Sequence, residues 1–139
     1  MSVAGAKTAI GVRMSEGPEA TYRRYLESGD WRLQKCAGCR RFVHFPRVLC
    51  PHCGADTLTW AQPTGFGRVY SVTVVHPPSG SEAPYNVSLV DLDEGVRLMS
   101  TIIGIGDRSP RIGERVRARF VDAPHGEGKL LVFETVEQP

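Results

Sequence analysis

The chain is 139 residues long, 41% hydrophobic and 23% charged, which excludes a disordered or fibrous polymer and leaves one ordinary domain or two small modules. Its formal net charge of +2 is too small an excess to identify a nucleic-acid binder. No apolar run approaches the roughly 20 residues of a membrane span and no apolar leader core follows Met1, so the expectation is a cytoplasmic protein, without membrane contact, whose thiols stay reduced.

Residues 1–17 show no sustained hydrophobic period, include Gly5 and Gly11, and are expected to form a flexible arm. Residues 18–30 read as a short docking helix. Ser15 or Glu16 caps it, Pro18 opens it, Tyr22, Tyr25 and Leu26 share one face at i, i+3, i+4, and Gly29 stops it. A helix this short is marginal alone, so it must pack on something. Its Tyr22–Tyr25–Leu26 face suits either a partner protein or the chain's own next module.

Residues 31–62 carry the strongest signal. All four cysteines fall in Cys36-Ala37-Gly38-Cys39 and Cys50-Pro51-His52-Cys53, with ten residues between the pairs. Two C-x-x-C pairs at this separation form two knuckles whose backbone N–H groups support the thiolates, so Cys36, Cys39, Cys50 and Cys53 are expected to converge on one tetrahedral metal. Two disulfides would require an oxidising compartment, and a redox C-x-x-C would need one pair in a βαβ context. Zinc is the expected metal; iron, as in a rubredoxin site, fits the same four thiolates. A closed four-cysteine site keeps no open coordination position, so the metal is expected to hold structure and not to catalyse. Phe42, Val43, Phe45, Val48 and Leu49 are too few to build a core here, and metal binding supplies what burial does not. His44 and His52 are expected as non-ligands. Four thiolates and one Zn²⁺ together carry −2, which brings the loaded chain to about zero charge. Between Arg23 and Arg47, however, seven Lys or Arg face only Glu27 and Asp30, which leaves a local basic face.

Trp60 leads into the turn-rich joint Gln62-Pro63-Thr64-Gly65-Phe66-Gly67, and from 63 to 139 the period becomes two. Strands are expected over Arg68–Val75, covered on both sides, and over Tyr85–Leu92. The tight turn Asp93-Glu94-Gly95 joins the latter to a third strand, Val96–Ile103. Gly104-Ile105-Gly106 then bends the chain, residues 107–114 form a loop, and Arg115–Phe120 makes a fourth strand. A turn at His125–Gly128 precedes a fifth, Lys129–Val136. The expected architecture is therefore mostly β: a short helix, a rubredoxin-like zinc ribbon, and a C-terminal five-stranded OB-type barrel, closed or nearly closed. An SH3-like barrel fits the same pattern.

No catalytic set emerges from the sequence. The metal takes every cysteine, and no Gly-x-Ser-x-Gly or P-loop is present. Asp91, Asp93 and Glu94 cluster at a hairpin end, where acidic residues commonly serve turn geometry. His76 and His125 read as solvated loop histidines. Arg115, Arg117 and Arg119 project from one side of the fourth strand, a row able to meet phosphates but more simply an exposed outer face. A single-strand binder would need stacking aromatics beside that row, whereas Phe120 and Phe133 read as core.

These positions together resemble the rubredoxin-like zinc-ribbon plus OB-fold proteins associated with acyl-CoA metabolism. The resemblance runs through the N-terminal Tyr/Leu helix, Cys36-x-x-Cys39, Pro46-Arg47-Val48-Leu49-Cys50-Pro51-His52-Cys53-Gly54 and Trp60. It continues through Gly65-Phe66-Gly67, Ser71-Val72-Thr73, Pro84-Tyr85, Val90 to Leu98 and Ile112 to Val116. It implies an accessory subunit of a thiolase-like enzyme that cleaves an acyl-CoA by thiolysis or retro-aldol chemistry, or of a MaoC-type hydratase, in the degradation of lipid or aromatic acyl groups. The partner would supply the nucleophile or base. This chain would supply a docking surface, through Tyr22, Tyr25 and Leu26, and part of the site for a CoA thioester. Arg40, Arg41 and Arg47 are the residues assigned to CoA phosphates on this reading. A hetero-oligomer with two copies of each chain follows by analogy. The alternative is a zinc-ribbon/OB module that binds single-stranded nucleic acid.

Overall fold

The computed structural model describes residues 16–78, 82–124, 126 and 128–136. The expected arm lies outside them except for Glu16 and Gly17, as do Ser15, His125 and Glu127. Pro18, which lacks the N–H that a first helical turn leaves unpaired, opens α1 (Pro18–Glu27). No side chain caps it. Gly17 takes the N-cap position, and Glu16 instead accepts two bonds from Arg24, at 2.9 and 3.0 Å. Gly29, at φ 79, ends the helix with its N–H on Leu26 O.

The apolar face of α1 turns inward. The Tyr22 ring stacks on Trp60 with centroids 6.4 Å apart, and its hydroxyl accepts from Trp31 Nε1 at 3.3 Å. Tyr25 packs on Trp60 at 5.5 Å, and Leu26 joins the cluster around Trp31 and Phe133. Of the two supports open to the Tyr22–Tyr25–Leu26 face, a partner protein or the chain's own next module, these contacts show the second. Ten residues of helix need an apolar support, and the nearest one is the chain's own.

The ribbon is a three-stranded antiparallel sheet in which β1 (Leu33–Cys36) lies between β2 (Phe42–Val43) and β3 (Leu58–Ala61). Beyond it, β4 (Phe66–Val75), β5 (Tyr85–Leu92) and β6 (Arg97–Ser100) form an antiparallel meander, and β4 also pairs with β8 (Arg115–Asp122), which pairs with β9 (Lys129–Thr135). The expected third strand is split. After β6, Thr101 leaves the ladder and β7 (Ile102–Ile103) runs parallel to β9. Asn86 fills the break: its Oδ1 accepts from Ile102 N at 2.9 Å and its Nδ2 donates to Ile102 O at 2.9 Å, while Thr101 Oγ1 donates to Asn86 O at 2.7 Å.

The resulting sheet order is β6-β5-β4-β8-β9-β7, and no ladder joins its two ends, so the sheet is not closed into a barrel by hydrogen bonds. Those ends are consecutive in the chain, however, and one residue spans the gap. Its core gathers Val69, Val90, Leu92, Leu98, Ile102, Val116 and Phe133 together with Trp31 and Leu33 from the ribbon side. Two-sided cover of β4 is not found. A register shift between Val69 and Ser71 bulges the strand at Tyr70, which is left 48% exposed, and Val74 beyond it is also exposed. No helix of the described residues is long and apolar enough to cross a membrane.

Candidate metal centre and its surroundings

The two knuckles have the same backbone plan. Cys36 N donates to Arg41 O at 3.0 Å and Arg40 N to Cys36 O at 2.8 Å; Cys50 N donates to Ala55 O and Gly54 N to Cys50 O, both at 2.8 Å. Each plan demands a left-handed residue directly after the second cysteine. Gly54 adopts φ 80 there, and Arg40 adopts φ 67. Amide N–H groups then reach the sulfurs, from Cys39 to Cys36 Sγ at 3.5 Å and from His52 to Cys50 Sγ at 3.3 Å.

The four sulfurs lie within 4.8 Å of one another, with Cys36–Cys53 at 3.6 Å and Cys39–Cys50 at 3.7 Å. A tetrahedron of thiolates about 2.3 Å from zinc has edges of about 3.8 Å. The donor set is soft, four in number and of the right size. Its electrostatics agree: the Cys39 N–H holds the Cys36 thiol down to about 6, whereas Cys53 is pushed up to about 11, because the Ala55 N–H that favours its thiolate is outweighed by proton sharing with Cys36 and by burial. Four sulfurs this close do not all ionise without a cation among them. The cysteines are positioned for metal binding, with their inner shell made from Val43, Ala55 and Leu58.

His44 and His52 sit beside this group in different ways. His52 Nδ1 lies 3.4 Å from the Arg41 guanidinium. His44 is half-buried, its ring 5.7 Å from Tyr22 and 4.8 Å from Phe45, and its Nδ1 is buried with no hydrogen-bond partner among the described residues. Burial lowers its pKa.

Arg40, Arg41 and Arg47 are all exposed on the ribbon. None forms an ion pair among the described residues. The backbone of Arg47 is fixed by Gln34, a 4% exposed side chain that accepts from Arg47 N and donates to Arg47 O, both at 2.7 Å. Sequence reasoning missed Gln34, since a polar residue between Leu33 and Lys35 carries no signal of burial.

The arginine row and the carboxylate cluster turn out to answer each other. Arg115 makes a two-point pair with Asp93, at 2.7 and 2.8 Å, and Glu134 on the neighbouring strand receives Arg117 at 2.7 Å and Arg119 at 3.1 Å. Asp91 takes Arg97, and Glu94 accepts from Thr64 N at 2.6 Å. Two carboxylates thus balance two of the row's three positive charges. A cleft of about 790 Å³ opens between the start of β5, β7 and the 104–110 turn, lined by Val74, Tyr85, Ile102 and Ile105; of its titratable groups, Arg108 is tied to Glu114 at 2.6 Å.

Comparison with known proteins decides the family. The model of the ChsH2 rubredoxin-like zinc ribbon domain matches residues 23–59, and that of the ChsH2 C-terminal OB-fold domain matches residues 60–121. A DUF35 domain-containing scaffold protein of Methanothermobacter thermautotrophicus is 36% identical over 105 residues, covering 72% of this chain and 78% of that protein. The chain belongs to the ChsH2/DUF35 family. A ChsH2/DUF35 structure described as Ltp2-ChsH2(DUF35) aldolase superimposes with a TM-score of 0.75 at 34% identity, over 86% of this chain and 95% of that one. A probable enoyl-CoA hydratase alpha subunit of Thermomonospora curvata is 39% identical over 93 residues, which is 66% of this chain but 29% of that protein. The chain thus spans less than a third of this hydratase subunit. Within the family frame, the cysteine quartet is the zinc-ribbon centre and the β4–β9 sheet is the OB-fold part.

Proposed function

We propose that this chain is the accessory, scaffold-type subunit of an enzyme complex acting on acyl-CoA thioesters, its partner a thiolase-fold enzyme or a MaoC-type hydratase that carries the nucleophile or base. The observation that carries this reading is the engagement of most of the reactive groups: the four thiols converge within 4.8 Å, Asp91 and Asp93 are held by arginine, and Glu94 accepts from Thr64 N through one oxygen while the other is buried without a partner among the described residues. No nucleophile–base pair is found among the described residues. The names of the relatives, an aldolase assembly and a hydratase alpha subunit, support carbon–carbon cleavage or hydration as the partner's reaction. Zinc is the metal the thiolate quartet suits, and its task is to hold the ribbon. Arg40, Arg41 and Arg47, exposed and without carboxylate partners among the described residues, are the cations available to CoA phosphates or to carboxylates of the partner, and the complex is assigned two copies of each chain in the cytoplasm. The nucleic-acid alternative loses support because Asp93 and Glu134 engage all three arginines of the row.

The test is native co-purification of the tagged, zinc-loaded chain from its host, with mass spectrometry of the retained proteins and an absorbance check for nucleic acid. A thiolase-like or hydratase subunit in near-equal amount, whose acyl-CoA activity falls when this chain is withheld, is the expected result. Full activity of that enzyme alone, or an eluate rich in nucleic acid without an enzyme, overturns the reading.

A further inference from the structure

The loop Phe45–Leu49 is held from behind and presented outward. Gln34 pins its centre through both backbone groups of Arg47, yet Phe45 is 67%, Val48 69% and Leu49 55% exposed. Contiguous apolar exposure of this kind marks an interaction site. Phe45 also sits at φ 61, a conformation that is an outlier for a bulky residue. Among the described residues its ring stacks only on His44, which does not account for the strain.

Beside Phe45, between α1 and the loop, opens a groove of about 410 Å³ lined by Tyr22, Leu26, His44, Phe45 and Pro46. His44, one of its lining residues, keeps its Nδ1 buried with no hydrogen-bond partner among the described residues. The cations are arranged to match. Cys39 Sγ and Cys50 Sγ, 3.7 Å apart, bring Arg40 and Arg41 to the same end of the ribbon as Val48 and Leu49. Eight other arginines are each paired with Asp or Glu, whereas Arg40, Arg41 and Arg47, like Arg68 and Arg111, form no ion pair among the described residues. Aromatic residues and arginine are the types enriched at protein interfaces.

We propose that Phe45, Val48 and Leu49, with the groove behind Phe45, are the anchor by which this chain docks on its enzyme partner. The partner presents an apolar depression rimmed by Asp and Glu that meets Arg40, Arg41 and Arg47. The proposal rests on the accessory-subunit reading above and names the surface that serves it.

The test takes the enzyme subunit that co-purifies with the wild-type chain and titrates it calorimetrically with zinc-loaded variants. Phe45→Gly is expected to unfold at no lower temperature than wild type, since glycine accepts φ 61, yet to bind roughly 30-fold more weakly. Val48→Ser/Leu49→Ser weakens binding to a similar degree, Arg41→Glu/Arg47→Glu removes most of its salt dependence, and Met99→Ser, on the outer face of β6, leaves it unchanged. Wild-type affinity in the loop variants, or a loss confined to Met99→Ser, overturns the anchor while the accessory-subunit reading stands. If no enzyme subunit accompanies the wild-type chain, both fall. Loss of binding to phosphatidylserine-containing vesicles by the same variants, with enzyme binding intact, makes the loop a membrane contact and also overturns the proposal.

Discussion

Gly67 shows how tightly a single position is held in the main core. It sits where β4 meets β5, and a Cβ built on it stands 2.6 Å from Asp91 O and 2.9 Å from Val90 Cγ1. The first of these is backbone inside a ladder, so it has nowhere to move. Gly67→Ala is expected to cost about 3 kcal/mol, read as a lower urea midpoint of the metal-loaded chain. An unchanged midpoint would mean that the strands part without penalty. Gly54 is the contrasting case: nothing stands within 4 Å of its Cβ, and only its φ of 80 favours glycine. The sequence makes both glycines visible but does not tell these two reasons apart.

At the scale of elements, α1 and the β8–β9 pair are stabilised by different forces. Tyr22 anchors the helix through Trp60 and the Trp31 bond, so Tyr22→Ala is expected to cost about 2–3 kcal/mol and to free the indole fluorescence of Trp31 and Trp60. Intact fluorescence and stability would show that the helix contributes no anchorage. On the strands, the Arg117 and Arg119 guanidinium groups hold the Glu134 carboxyl below its ordinary range, as Arg115 does for Asp93. A carboxyl depressed in the fold stabilises it above its unfolded value, about 4, and that contribution disappears as pH falls through the lower folded value. Stability should therefore decline below about pH 5, and Glu134→Gln should flatten part of that decline relative to wild type. Both arginines are more than half exposed, although Glu134 is only 19% exposed, so high salt should shrink the difference. A variant with the wild-type acid limb would remove Glu134 from the account.

For the molecule as a whole, β1 ties the metal centre to the sheet. Cys36 ends that strand in the cysteine cluster, while Leu33 at its start and Trp31 just before it are buried in the main core, with Trp31 edge-on to Phe133 at 6.1 Å. Structural zinc contributes about 10 kcal/mol or more, comparable with the whole stability of a small domain at about 5–15 kcal/mol. Chelation is thus expected to abolish one cooperative thermal transition that includes the sheet, and zinc to restore it. Two independent transitions, with only the earlier one sensitive to chelator, would show that the shared core does not couple them.

What the sequence by itself determined is the information that neighbours in the chain carry. Two C-x-x-C pairs dictate the knuckles, Pro18 and Gly29 punctuate the helix, and period-two runs mark the strands, because each depends on a few adjacent residues and their backbone preferences. Tertiary structure alone decided which distant groups meet. It turned the helix face onto Trp60, set Glu134 across β8–β9 from Arg117, split the third strand at Thr101 around Asn86, and left Phe45, Val48 and Leu49 outside the ribbon. Such pairings follow from strand register and packing, which join residues far apart in the chain and leave no spacing pattern to read.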